Sequence, residues 1–395
     1  MAAGECHLVR AGSGRAAVEL NPLDRDMGFF STEFALRYPA AAPAEALRAA
    51  LAAALPGFAP AAGRPDSRGG RLLCSDAGVP FTHTRRDGPA PPFDAPLPAD
   101  LFDLWDGDAP LRVQVTDFPD GQVLAVSYCH SLADAASLAQ LLRAWSAAYQ
   151  GLPTWEADHD RSFLPRLPRS EEAFPHPKRL PQTTVPYEGS GVLATYARSS
   201  DAIRKLKERY GDPRLSGNDV LCGELCELLG LRTVASVVNF RAPAGLAPGY
   251  FGNAVTMVPA AAAAPAGVPA AMRDQLEMAR RPGYLAWHLS QGGAPSDLVV
   301  SNVVSVYDLQ ALRFASAADD LMMGAPYYGN PICRGMRLGG MLYARVLPQP
   351  DGVKVVLMAT AEHARRVPGA VVAPLGAQET LVCWSTKHHE ATARA

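Results

Sequence analysis

Five consecutive residues, His130-Ser131-Leu132-Ala133-Asp134, set a histidine four positions before a carboxylate. Histidine is the side chain whose ordinary pKa lies nearest neutrality. In such a place it can take a proton from a hydroxyl or amine as that group attacks a carbonyl. Two fixed residues in five also recur by chance in a chain with nine histidines. A histidine satisfied by backbone, beside an aspartate that caps a helix, fits the same pattern. Cys129 adjoins His130, but neighbours in a strand point to opposite faces, which makes Cys129 a core residue and not a partner nucleophile. Cys222 and Cys226 fall at helical spacing, yet no second Cys/His pair accompanies them, so no metal site is expected. His288, His363, His388 and His389 read as surface residues. Other familiar chemistries lack their motifs: the chain has no GxSxG elbow, no GxxxxGK[ST] loop, no GxGxxG opening a helix and no HExxH.

The elements that must position His130 are legible around it. Residues 112–118 alternate as a half-buried strand does, 122–128 form an apolar run of strand length, and Asp120-Gly121 supplies the turn between them. Leu138, Leu141, Leu142, Trp145 and Tyr149 then recur at helical spacing, with Asp134 at the helix start. His130 therefore sits between a strand end and a helix. Elsewhere, helices are expected over 44–55, from Ser199 to Asp201 on to 210, and from Ser216 to 229; strands are expected over 234–240, 341–346 and 353–359. An Ala/Pro tract over 259–271 reads as a surface loop leading into a helix at 272–280. Prolines at 153, 165, 168, 175, 177, 181 and 186 mark 151–189 as an extended crossover. Three parts follow: an N-terminal domain over 1–150, that linker, and a C-terminal domain over 190–395. Interleaved strands and helices in both make the class α/β or α+β, with the site in the crevice between domains.

Composition bounds the function. With 395 residues, 48% apolar and 19% charged, the chain reads as a soluble globular protein. Its 37 Lys and Arg against 39 Asp and Glu, a net charge of −2, argue against nucleic acid as a partner. Seven scattered cysteines point to a reducing compartment, and the absence of an apolar run near the start points to no signal peptide and no membrane span; a cytoplasmic protein is expected.

The order of these and further motifs resembles the BAHD family of acyl-CoA-dependent acyltransferases over nearly the whole chain. LAAALPGFAPAAGR at 51–64 is similar to the family's helix running into "PLAGR", and LLCSDAGVPF at 72–81 to its "CN..GV.F" strand. Leu111 to Gly151, with His130 to Asp134 within it, resembles the family's catalytic HxxxD block; Gly217 to Leu221 resembles "ND.L", and VNFRAPAGLAPGYFGN at 238–253, ending in Tyr250 to Asn253, resembles "D.R..L...YFGN". One landmark departs. The "DFGWG.P" motif corresponds to Asp320-Leu321-Met322-Met323-Gly324-Ala325-Pro326, which keeps Asp320, Gly324 and Pro326 but has Met323 where the family's Trp lies near the reacting carbonyl. Backbone groups or Tyr327 and Tyr328 are then the candidate oxyanion donors.

The resemblance implies two domains of related mixed-sheet fold, chloramphenicol-acetyltransferase-like, with a channel at their interface. It implies transfer from acyl-CoA to a small-molecule alcohol or amine in specialised metabolism. His130 would act as general base, with no covalent acyl-enzyme and no metal or permanently bound cofactor, in a monomer. Asp134 would pair with Arg241 facing away from the channel, and Asp320 and Gly324 would support the site's architecture. Residues that hold coenzyme A stay unassigned; the basic helix with Arg204, Lys205, Lys207 and Arg209 either meets its phosphates or is a solvated face. The alternatives are a condensation-type enzyme that takes its acyl group from a carrier protein, and a catalytically silent binding protein of the same fold.

Overall fold

The apolar runs around His130 form a hairpin, Leu111–Phe118 and Gly121–Cys129, closed at Asp120-Gly121. Gly121 takes φ +149°, and a Cβ there would collide with the Tyr38 carbonyl, so the turn needs glycine. The computed structural model describes residues 5–27, 31–66, 69–94, 97–105, 107–169, 174, 192–291, 296–323 and 342–374. Among the described residues, the hairpin lies at the centre of a six-stranded sheet ordered Glu5–Val9, Val79–Arg85, Leu111–Phe118, Gly121–Cys129, Ser31–Tyr38 and Asp320–Met323.

Every residue of Gly121–Cys129 is buried, which explains its near-continuous apolar character. Helix Ala135–Tyr149 follows, capped by the Asp134 carboxylate accepting from Ser137 N at 2.9 Å. Its stripe of Leu138, Leu141, Leu142 and Trp145 is at most 2% exposed and joins the core that includes Phe34, Phe81 and Val126. Each such side chain contributes roughly 1.5–3 kcal/mol by burial. Trp145 Nε1 also donates to Leu47 O at 2.8 Å, tying this helix to Ala44–Ala54.

A second sheet of seven strands is ordered Val255–Ala261, Thr233–Asn239, Leu298–Asn302, Leu342–Pro348, Val353–Ala359, Val192–Arg198 and Val371–Pro374. Helices Gly217–Leu229 and Val268–Met278 contribute Leu221, Cys222, Leu225, Cys226 and Met272 to the core on one face of this sheet. Cys222 and Cys226 are fully buried apolar members of it. The mixed α/β class with two sheet-rich bodies is as expected.

Several expectations need correction. The 72–81 segment is two strands, Arg71–Leu73 and Val79–Arg85, which belong to different sheets. The Ala/Pro tract is no single loop: Pro259 lies in the edge strand Val255–Ala261, where its missing N–H faces no further strand. The helix expected at 272 begins at Val268, with Pro269 in its first turn. Finally, Asp320–Met323 is a strand of the six-stranded sheet, antiparallel to Ser31–Tyr38, although it comes from the C-terminal half of the chain.

Candidate active site

His130 immediately follows strand Gly121–Cys129, is half-buried, and its ring meets a side chain from the other half of the chain. Asn253 Oδ1 lies 3.0 Å from His130 Nδ1, while Asn253 Nδ2 donates to His130 O at 2.8 Å and to Asp24 Oδ1 at 2.9 Å. Both partners of Nδ2 are pure acceptors, which fixes the amide with its oxygen toward the ring. Nδ1 therefore carries the hydrogen, and the lone pair resides on Nε2. Burial lowers the His130 pKa from its ordinary value and outweighs the negative charge of Asp134 and the hydrogen bonds that oppose it, so the ring is neutral at neutral pH.

Asp134 belongs to a different set of contacts. Its Oδ1 and Oδ2 accept from Arg241 Nη2 and Nη1, each at 2.8 Å, and also from Ser137 N and Ala254 N, each at 2.9 Å. The side chain is 1% exposed, so this two-pronged pair is desolvated and directional. Arg241 Nη2 donates further to Ser137 Oγ at 2.7 Å and to Gly252 O at 3.1 Å. The pair thus joins the start of helix Ala135–Tyr149 to the loop 250–254, whose Asn253 holds His130.

Two residues that the sequence reading did not single out complete the support. Asp24, fully buried, accepts from Asn253 N and Nδ2 and lies 3.2 Å from Arg161 Nη1. Arg161 donates to Ser131 O at 2.8 Å and Leu132 O at 2.7 Å, satisfying the carbonyls of the loop between His130 and Asp134. Arg161 lies in the proline-rich crossover, whose Asp158 also exchanges backbone hydrogen bonds with Gly249 and Phe251. Its acceptors are backbone carbonyls, which every residue carries, so nothing in the sequence marks Arg161. Its packing also explains Gly252: a Cβ there would stand 2.9 Å from Arg161 Nε and 2.7 Å from Tyr250 Oη. Gly252→Ala is expected to lower stability by about 1–3 kcal/mol through overpacking, read as a fall in Tm; an unchanged Tm would count against this packing.

The remaining candidates fall elsewhere. Asp320 pairs across the sheet with Arg37, itself opposite Val123, so roughly 20 Å of strand separates it from His130. There it accepts from the buried Lys354 Nζ at 2.5 Å, which also donates to Phe93 O at 2.9 Å. Gly324, Pro326, Tyr327 and Tyr328 lie outside the described residues, as do His388 and His389. Met323 is fully buried. The exposed basic helix pairs Arg204 with Asp201 and Glu208, Lys205 with Asp201, and Arg209 with Glu227 of helix Gly217–Leu229, so three of its four cations meet carboxylates of the protein. His288 and His363 are not surface residues: His288 stacks on Tyr284 with Nε2 3.2 Å from Thr256 Oγ1, and His363 Nδ1 lies 2.8 Å from Thr360 Oγ1. Burial raises the Cys129 thiol pKa and keeps it from acting as a thiolate.

A neutral, oriented histidine thus stands at the end of a central strand of the six-stranded sheet. Residues 24–214 match the profile of the Transferase family, which bears out the resemblance to the BAHD acyltransferases. The chain is 30% identical over 191 residues to putrescine hydroxycinnamoyltransferase 2 of Oryza sativa subsp. japonica, an alignment covering 42% of this chain and 59% of that relative. In fold it is similar to vinorine synthase, with TM-score 0.71 and 19% identity over 92% of this chain and 96% of that one. F. graminearum TRI101 complexed with coenzyme A and deoxynivalenol gives TM-score 0.62 and 16% identity over 89% and 96%.

Proposed function

We propose that this protein transfers an acyl group from acyl-CoA to a hydroxyl or amine of a small-molecule acceptor, with His130 as general base and no covalent acyl-enzyme. The observation that carries the reading is the Asn253 amide, which presents His130 as a neutral imidazole with its lone pair on Nε2. As the acceptor's oxygen or nitrogen attacks the thioester carbonyl, its proton passes to Nε2. When the carbon–sulfur bond breaks, the imidazolium returns that proton to the departing thiolate. A thioester is reactive enough for this direct route, and one positioned base contributes about 10²–10⁴ in rate. The reactants meet in a channel between the two sheets, and Asp134, Arg241 and Asp320 act as architecture. Support for the donor comes from TRI101, a fold neighbour whose structure contains coenzyme A. Support for an amine among the acceptors comes from the rice relative, whose name pairs putrescine with a hydroxycinnamoyl group.

Thiol release measured over a panel of acyl-CoAs with alcohols and amines tests the reading. Release is expected only with donor and acceptor together. A thiol burst stoichiometric with enzyme in the absence of acceptor would show an acyl-enzyme; release from carrier-bound thioesters alone would favour a condensation-type enzyme. The pH profile gives a second check. The base must be unprotonated to act, and its pKa lies below the ordinary value because of burial. The acidic limb of kcat/KM is therefore expected below about pH 6.5, the unperturbed histidine value. A limb at or above that pH would contradict a base held neutral by desolvation.

A further inference from the structure

Strand Leu342–Pro348 alternates between two environments: Leu342, Ala344 and Val346 enter the core of the seven-stranded sheet, whereas Tyr343 and Leu347 pack against the core of the six-stranded one. Arg345 shares the second face. It is 5% exposed, its Nε has no partner, and its hydrogen bond among the described residues runs from Nη1 to the Met323 thioether at 3.6 Å. No carboxylate among the described residues lies within ion-pair distance of it. A buried guanidinium with no counter-ion among the described residues is costly, and an anion formed on a substrate beside it would offset that cost.

The surroundings locate that anion. Met323, which Arg345 touches, occupies the position matching the family's tryptophan, and Met323 has no N–H to offer. Two further buried polar atoms lack hydrogen-bond partners, Tyr307 Oη and Glu33 Oε2, and both side chains feel the charge of Arg345. The positive charge of Arg345 favours the anionic forms of Tyr307, Glu33 and Tyr128 and disfavours protonation of the His130 ring. Burial pushes Glu33 up to about 7, so this neighbour is partly protonated at neutral pH and does not fully neutralise the guanidinium.

Resting on the acyl-transfer reading above, we infer that Arg345 is the donor that stabilises the oxyanion formed on the thioester carbonyl, in place of the missing tryptophan. As the acceptor atom bonds to the carbonyl carbon and His130 Nε2 takes its proton, the carbonyl π pair moves to oxygen and meets the guanidinium N–H groups. That pair then re-forms the carbonyl, the carbon–sulfur bond breaks, and the thiolate takes the proton from His130. The charge needs no reorganisation at the moment of reaction because the donor is already desolvated.

The experiment compares wild type, Arg345→Met, Arg345→Lys and Arg345→Ala by thiol release on one productive donor and acceptor pair. Arg345→Met is expected to lose about 10²–10³ in kcat with both KM values nearly unchanged. Its Tm should be unchanged or higher, since an unpaired buried charge is replaced by an apolar chain of similar length. Arg345→Lys should retain an intermediate kcat, and added guanidinium ion should partly restore Arg345→Ala. Removal of the cation should also raise the pKa of the acidic limb, because Arg345, unlike Asp134 on the same loop as His130, disfavours protonation of the ring. A kcat for Arg345→Met within threefold of wild type, or a loss confined to the KM of one substrate, would overturn the oxyanion role while leaving acyl transfer intact. A wild-type enzyme silent on every pair, with folded protein by Tm, would overturn both.

Discussion

His130→Ala is expected to fold with nearly wild-type Tm and to lose about 10²–10⁴ of turnover. The residue is only half-buried, and the amide that meets its ring has other partners in Asp24 and the His130 carbonyl. Removing the imidazole therefore leaves Asn253 Oδ1 short of a donor but does not open the core, and entry of water restores that bond. His130→Gln should behave similarly, since an amide donor can meet Asn253 yet offers no basic nitrogen. Turnover measured by thiol release, with Tm measured on the same samples, decides the point. Near wild-type turnover in either variant would remove His130 from the chemistry and favour a silent or differently catalysed protein.

What the sequence made legible was local. The Asp120-Gly121 turn, the caps at Asp134, Ser199 and Ser216, and the stripe from Leu138 to Trp145 each depend on residues within about ten positions of one another, and each lies where its pattern puts it. Strand Ser31–Tyr38 went unread because its residues are buried on both faces, so alternation is absent and Glu33 and Arg37 interrupt the apolar run. Asp320–Met323 is only four residues long, too short for periodicity to register, and its pairing with Ser31–Tyr38 is a contact between residues almost 300 positions apart in the chain. The site divides in the same way. His130 and Asp134 share one short motif, whereas Asp24, Arg161 and Arg345 acquire meaning only through partners that are distant in sequence. A buried arginine in a proline-rich stretch has no pattern of its own; its identity depends on two carbonyls in another part of the fold.

Arg241→Met is expected to destabilise the protein by about 3–5 kcal/mol, because it leaves the Asp134 carboxylate, 1% exposed, without its cation. The two backbone donors from Ser137 and Ala254 remain, but they do not neutralise a charge removed from water. Asp134→Asn should cost less. It keeps an acceptor for the helix cap, and the orphaned Arg241, 11% exposed, retains Asn239 Oδ1, Ser137 Oγ and Gly252 O as acceptors. The double variant should then be more stable than Arg241→Met alone, since no isolated buried charge remains, and the cycle of the four proteins isolates the coupling between the two side chains. Activity should fall in each single variant through Asn253: Asp134 Oδ2 holds Ala254 N, the next residue along, so loosening that contact frees the amide that orients His130. Denaturant unfolding gives the stabilities and thiol release gives the rates. Stability of Arg241→Met within about 1 kcal/mol of wild type, the range of an exposed ion pair, would show that water reaches Asp134 and that the pair is not what joins the HxxxD loop to the loop bearing Asn253.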